Sequence, residues 1–262
     1  MQRGSWIIGR GLRATDGAIG SIVDLLFDDE HWGIRWVVVD TGTWLPGRKV
    51  LLPPSALGAV DVATGDHVVD LSRDRIKEAP GLDTDAPVSR QFETETYGHY
   101  AWTPYWVAGH GYPLGAAGVA PVVPPGGMIA PEAASTAGAR PDSERQGDPH
   151  LRSMGEVTGY YVRATDGDIG HIEDFLVEDE ENWVVRYLIV DTKNWWPGKF
   201  VLISPDWLSD IDWIDGAVSV EVTRDRVKDS PEYDPAAEFD RRYEEGLYGH
   251  YGYSPYWAGP WI

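Results

Sequence analysis

The chain is written twice. Arg13-Ala14-Thr15-Asp16-Gly17 returns as Arg163-Ala164-Thr165-Asp166-Gly167, and twelve of the twenty residues at 11–30 are identical to those at 161–180. After a one-residue insertion near Glu181 the match resumes. Val39-Asp40-Thr41 answers Val190-Asp191-Thr192, and Trp44 with Pro46-Gly47 answers Trp195 with Pro197-Gly198. Arg73-Asp74-Arg75-Ile76-Lys77 answers Arg224-Asp225-Arg226-Val227-Lys228. Tyr97-Gly98-His99-Tyr100 answers Tyr248-Gly249-His250-Tyr251. Repeats of about 100 residues imply two domains rather than a solenoid, whose units are 20–50 residues long.

Within each unit the pattern is that of short strands. Ile19 to Phe27 is β-branched and apolar and follows an Asp16-Gly17 turn. Ile34 to Asp40 is apolar on both faces, as in a small barrel, and Lys49 to Leu52 and Val68 to Leu71 are further strands. Ser72 offers an N-cap to a helical turn, Arg73 to Lys77, that Pro80 stops. The expected fold is mainly β: two small β-barrels in tandem, with short helical turns and aromatic tails. The boundaries read as barrel 1 at 1–80, tail 1 at 81–108, an Ala/Gly/Pro-rich linker at 109–153, barrel 2 at 154–231 and tail 2 at 232–262. The linker reads as an extended connector. A barrel of about 70–80 residues has a thin core, so accessory segments are expected to pack on it.

Charge and composition exclude several classes. With 42 Asp+Glu against 22 Lys+Arg the formal net charge is −20, which repels phosphate backbones, so nucleic acid is not an expected partner. There is no cysteine, which removes disulfides, thiolate metal sites and Cys nucleophiles. No apolar run is long enough for a signal peptide or a membrane span. The expectation is a soluble cytoplasmic protein, touching membranes only through a partner.

The run Asp-Gly-x-Ile-Gly-x-Ile-x-Asp at Asp16 to Asp24 and Asp166 to Asp174 resembles the first hairpin of the PRC-barrel. So does Arg-aromatic-x-x-Val-Asp-Thr at Arg35 to Thr41 and Arg186 to Thr192. The Trp-x-Pro-Gly turn, the strand ending near Pro54 or Pro205 and the Arg-Asp-Arg-[Ile/Val]-Lys element complete the likeness, which covers both units. PRC modules are known from the cytoplasmic domain of the reaction-centre H subunit, from a ribosome maturation factor and from stand-alone bacterial proteins. The resemblance implies a non-enzymatic protein-interaction or scaffold module, and it carries over no catalytic residue.

The residues themselves carry few chemical signatures. Gly9-Arg10-Gly11-Leu12-Arg13-Ala14 fits a dinucleotide pattern, but a strand follows where a helix is needed. Asp28-Asp29-Glu30 and Glu178-Asp179-Glu180-Glu181 read as solvated hairpin tips rather than Ca²⁺ loops. Asp40 and Asp191 read as bonding turn N–H groups, Arg35 and Arg186 as pairing with carboxylates, and His99 and His250 as packed or surface histidines. No catalytic residue, metal or cofactor is expected. The candidate interaction residues are the tail aromatics Tyr97, Tyr100, Trp102, Tyr105, Trp106, Tyr248, Tyr251, Tyr253, Tyr256 and Trp257. Such rings either meet a partner protein or fold back on the barrel. Exchange of tails between copies would give a two-fold homodimer. The competing readings are a small-ligand binder, with carbohydrate as one candidate, that stacks its ligand on these rings, and a hydrolase.

Overall fold

The computed structural model describes residues 1–82, 88, 90–102, 148–180, 182–193, 198–237 and 239–258. The interior of the expected linker, 109–147, lies outside them. The first half runs β1 (Gln2–Arg3), α1 (Gly4–Ile7), β2 (Gly11–Ala14), β3 (Gly17–Asp28), β4 (Ile34–Asp40), β5 (Lys49–Leu52), β6 (Leu57–Val60), β7 (His67–Val69), α2 (Arg73–Lys77) and α3 (Arg90–Tyr100). The second runs β8 (Leu151–Ser153), α4 (Met154–Val157), β9 (Tyr161–Ala164), β10 (Gly167–Glu178), β11 (Val184–Asp191), β12 (Phe200–Ile203), β13 (Leu208–Asp212), β14 (Ala217–Val220), α5 (Arg224–Lys228) and α6 (Arg241–Tyr251). Single 3-10 turns at Pro54–Ala56 and Pro205–Trp207 lead into β6 and β13, and a third lies at Tyr256–Ala258.

The strands make two seven-stranded sheets. One is ordered β5-β4-β3-β2-β7-β6 and the other β12-β11-β10-β9-β14-β13. Pairing is antiparallel except for β2 with β7 and β9 with β14. The fold is mainly β, as expected, but among the described residues neither hydrogen-bonded path closes: each ends at two unjoined strands rather than forming a barrel. The repeated glycine of the first hairpin has a steric cause. A Cβ on Gly20 or Gly170 would stand 1.9 or 2.0 Å from the main-chain oxygen of Asp40 or Asp191, so only glycine lets β3 and β10 pass so close to the end of the next strand.

Each sheet takes its seventh strand from the other half of the chain. β1 pairs with β10, Gln2 opposite Val177 and Arg3 opposite Leu176. β8 pairs with β3, Ser153 opposite Leu26 and Arg152 opposite Phe27. The two exchanges are the same pairing displaced by 150 residues. The connector expected to run through Ser153 therefore gives way to strand at Leu151. The hairpin tips bond across as well: Ile34 N donates to Trp183 O (2.7 Å) and Val185 N to Trp32 O (2.9 Å). Trp32 and Trp183 reach these positions at φ 60° and 48°, left-handed conformations that cost a bulky residue about 1–2 kcal/mol. One apolar core spans both halves, with Phe27 and Phe175 in contact at 6.1 Å between ring centroids.

Candidate interaction surface

The tails are helical, which their Gly and Pro content hid. In α6 the buried residues are Glu244, Leu247, Tyr248 and Tyr251, and in α3 they are Glu93, Thr96, Tyr97 and Tyr100. That is one helical stripe, spaced 3, 1 and 3, with a glutamate in it. Asp240 caps α6 by accepting from Tyr243 N, and Gly252 ends it at φ 78°. The glutamate lies on the sheet because it has a donor there. Trp36 Nε1 donates to Glu93 at 2.7 Å, and Tyr187 Oη to Glu244 at 2.8 Å. Tyr256 Oη (3.1 Å) and Arg241 (2.9 Å) complete the shell of Glu244. Burial pushes the phenols of Tyr187 and Tyr248 up and that of Tyr251 to about 12, so these hydroxyls keep their protons well into the alkaline range.

The remaining repeated motifs meet at the helix ends. Asp16 and Asp166 accept from the backbone N of Arg73 and Arg224, each at 2.8 Å, at the first residue of α2 and α5. Ser72 and Thr223 cap the same helices. Arg75 and Arg226 donate to the carbonyls of His99 and His250. The histidines return the bond, Nε2 donating to the carbonyls of Arg75 and Arg226 at 2.7 Å each. Each histidine thus pins its tail helix to the short helix before it. Asp40 and Asp191 bond turn N–H groups, at Gly42 (2.7 Å) and Lys193 (2.9 Å), as their place at a strand end suggested.

The acidic tips need correction. Glu30 and Glu180 are exposed as expected, but Asp28 is fully buried and the Asp29 side chain is covered, because the entering strand of the other half lies on them. Arg152 Nε and His150 Nδ1 both bond Asp29 at 2.9 Å, and Arg35 reaches Asp28 and Asp148. At the matching place Gln2 donates to Asp179 at 2.5 Å, and Arg186 bonds Glu178. Sequence reasoning missed the seam for which these residues serve. The last Asp of the first-hairpin motif belongs to it too. Asp174 accepts from Arg3 Nε, Ser5 N and Ser5 Oγ, and Asp24 from Ser153 Oγ and Gly155 N.

Of the expected interaction residues, Tyr97, Tyr100, Tyr248 and Tyr251 are buried, and Trp102, Tyr253, Tyr256 and Trp257 are half-buried. Tyr105 and Trp106 lie outside the described residues. The rings pack on their own half: Tyr97 on Trp36, Trp102 on Tyr100, and Tyr248, Tyr251 and Tyr253 around Trp207. Arg241 lies 4.0 Å over Trp257, and Arg186 lies 4.2 Å over Tyr256. Among the described residues, the large apolar side chains left exposed are Trp6, Val62, Val68, Tyr161 and Ile214. Val62 and Ile214 occupy the tips of the β6–β7 and β13–β14 hairpins.

Among the described residues, His171, Glu173 and Asp191 place one potential metal-ligand atom each within 4.8 Å of one another. The Lys193 ammonium already stands 3.0 Å from Asp191, and the first half has Ser21, Val23 and Asp40 in those places. This geometry is that of an ion pair at a strand end.

Compared with known families, residues 3–76 match the PRC-barrel domain. The match covers β1 through most of α2, so the first half carries a PRC-barrel domain. No curated protein matches the chain. Among the described residues no helix is long and apolar enough to cross a membrane.

Proposed function

We propose that the chain is a non-enzymatic docking scaffold in the cytoplasm, built from two PRC-type modules fused into one body. One observation carries this reading. The polar residues of the repeated motifs, Asp16, Asp24, Asp40, Arg75, Glu93 and His99 with their counterparts, are engaged in bonds that hold strands, seam and tails together. The shared strand order and the displaced but identical exchange support a second PRC-type module in 148–258, beyond the matched residues. Coverage of each tail by its own half removes the need for tail exchange between chains. The rings packed on protein also speak against an open stacking platform for sugars.

The test is affinity purification of the tagged full chain from its native cell, with cross-linking and mass spectrometry. A scaffold returns a stoichiometric protein partner cross-linked to the hairpin tips. Recovery of the chain alone, with a small molecule retained on it, would favour the ligand-binding reading instead.

A further inference from the structure

The two halves keep their frame and diverge in one region. Twelve of twenty residues are shared between 11–30 and 161–180, but only five of nineteen between 53–71 and 204–222. The divergence has a direction. Ser55, Ala59 and Thr64 give way to Asp206, Asp210 and Asp215, and Val62 and Ala63 to Trp213 and Ile214. In the fold these residues are β13, the 3-10 turn before it and the tip that follows it.

β13 ends its sheet. It bonds β14 on one side, and among the described residues no strand bonds the other. Unpaired N–H and C=O groups along such an edge template an added strand. After an irregularity between Leu208 and Asp210, three successive pairs, Asp210–Ser219, Ile211–Val218 and Asp212–Ala217, give β13 a regular stretch. At the matching place β6 has only two pairs, separated by an irregularity. Asp206, Asp210 and Asp215 are exposed, and Ile214 is 96% exposed beside them. No Lys or Arg occurs between Lys199 and Arg224.

We infer that β13 is a docking edge for an extended, basic segment of a partner protein, which adds to the sheet as a strand. The inference rests on the scaffold reading and names the partner's chemistry. Charge selects the occupant. A second copy of β13 would set carboxylates against carboxylates, whereas Lys or Arg side chains meet Asp206, Asp210 and Asp215 favourably. Ile214 supplies an apolar contact at the end of the strand, next to Trp213, whose ring carries the Arg152 guanidinium at 4.1 Å. The chain's net charge of −20 steers a basic segment toward the protein but does not choose the edge.

The probe is a ten-residue peptide of alternating Lys and Val, titrated against the full chain by fluorescence anisotropy. The Glu-Val peptide is its opposite, and hydrogen exchange locates the contact. The Lys-Val peptide is expected to bind, to slow exchange at 205–216 and to lose about ten-fold in affinity in the triple variant Asp206→Asn, Asp210→Asn, Asp215→Asn. The variant Asp70→Asn, Asp74→Asn, Glu78→Gln removes the same charge from exposed sites of the first half and should change affinity less than about two-fold. Equal weakening by both variants, or protection at another strand, would overturn the proposal. So would protection, in the free chain, of those amides of Leu208–Asp212 that point away from β14. If a native partner is captured equally well by the β13 variant, the scaffold reading stands and the edge assignment falls. If no partner is captured by either form, the scaffold reading itself falls.

Discussion

Residues 1–102 and 148–258 solve the same backbone problem with different side chains. Both halves send a short strand and a one-turn helix into the other, and both receive them on an aspartate at the bulge of the long strand. Yet the buried Asp174 holds an arginine as well as the helix N-terminus. From the entering segment the half-buried Asp24 takes Ser153 Oγ and the N–H of Gly155, with no arginine among the described residues. At the hairpin tips the distribution is reversed: Asp29 takes Arg152 and His150, whereas Asp179 takes the neutral Gln2. The β1 seam is clamped by Arg3 on Asp174, whereas the β8 seam gathers its charge at the tip, with Arg152 and His150 on Asp29 and Arg35 on Asp148. The pairing of main chains is the common requirement, and the clamp is free to move along it.

The strongest way to test the common frame is to block it in both halves. Gly20→Ala and Gly170→Ala should each destabilise by about 3 kcal/mol, because the new Cβ meets main-chain carbonyl that has nowhere to move. Urea denaturation of the two variants should give equal losses; a harmless substitution in either half would refute the shared constraint.

Asp174→Ala and Asp24→Ala probe the difference instead. The first strands a largely buried guanidinium and should cost about 3 kcal/mol, the second about 1 kcal/mol. Similar losses in denaturation experiments would mean that the Arg3 bond contributes little. A smaller effect is expected at the second tail. Glu244→Gln should lower stability by about 1–2 kcal/mol, with a change in near-ultraviolet dichroism from Tyr187 and Tyr256.

The smallest effect separates the seams by pH. The bond to Asp29 raises the pKa of His150, whereas Asp179 at the matching place is bonded by Gln2, which does not titrate. A raised folded-state value stabilises the β8 seam fully below the unfolded pKa, about 6.5, and that contribution disappears as pH rises through the folded value. Between pH 6 and 8 the β8–β3 pairing should therefore open slightly more readily, and His150→Gln should abolish that dependence. The β1–β10 pairing should show none of it. Hydrogen exchange of both seams, corrected for intrinsic rates, would check this.

Much of the frame was legible in the sequence because it is local. The Asp16-Gly17 turn, the run from Ile34 to Asp40 and the Ser72 cap act within a few residues. The tail helices were not legible, because their buried stripe contains Glu93 and Glu244, whose donors on the sheet, Trp36 and Tyr187, each lie 57 residues away. A polar residue on an apolar stripe conceals the helical period unless its partner is known. The exchanged strands were harder still. Two or three residues have no period, and the partner of Arg3 lies 171 residues further on.

That separation also orders the birth of the molecule. At about 5–20 residues per second, ribosomal synthesis reaches Asp174 roughly 10–35 s after Arg3 is made. Until then β1 and α1 have no sheet to join, and β3 waits with its edge and Phe27 uncovered. Closing so distant a contact is intrinsically slow. The nascent first half should therefore be a chaperone client, and its adhesive state should end when β8 and β10 emerge.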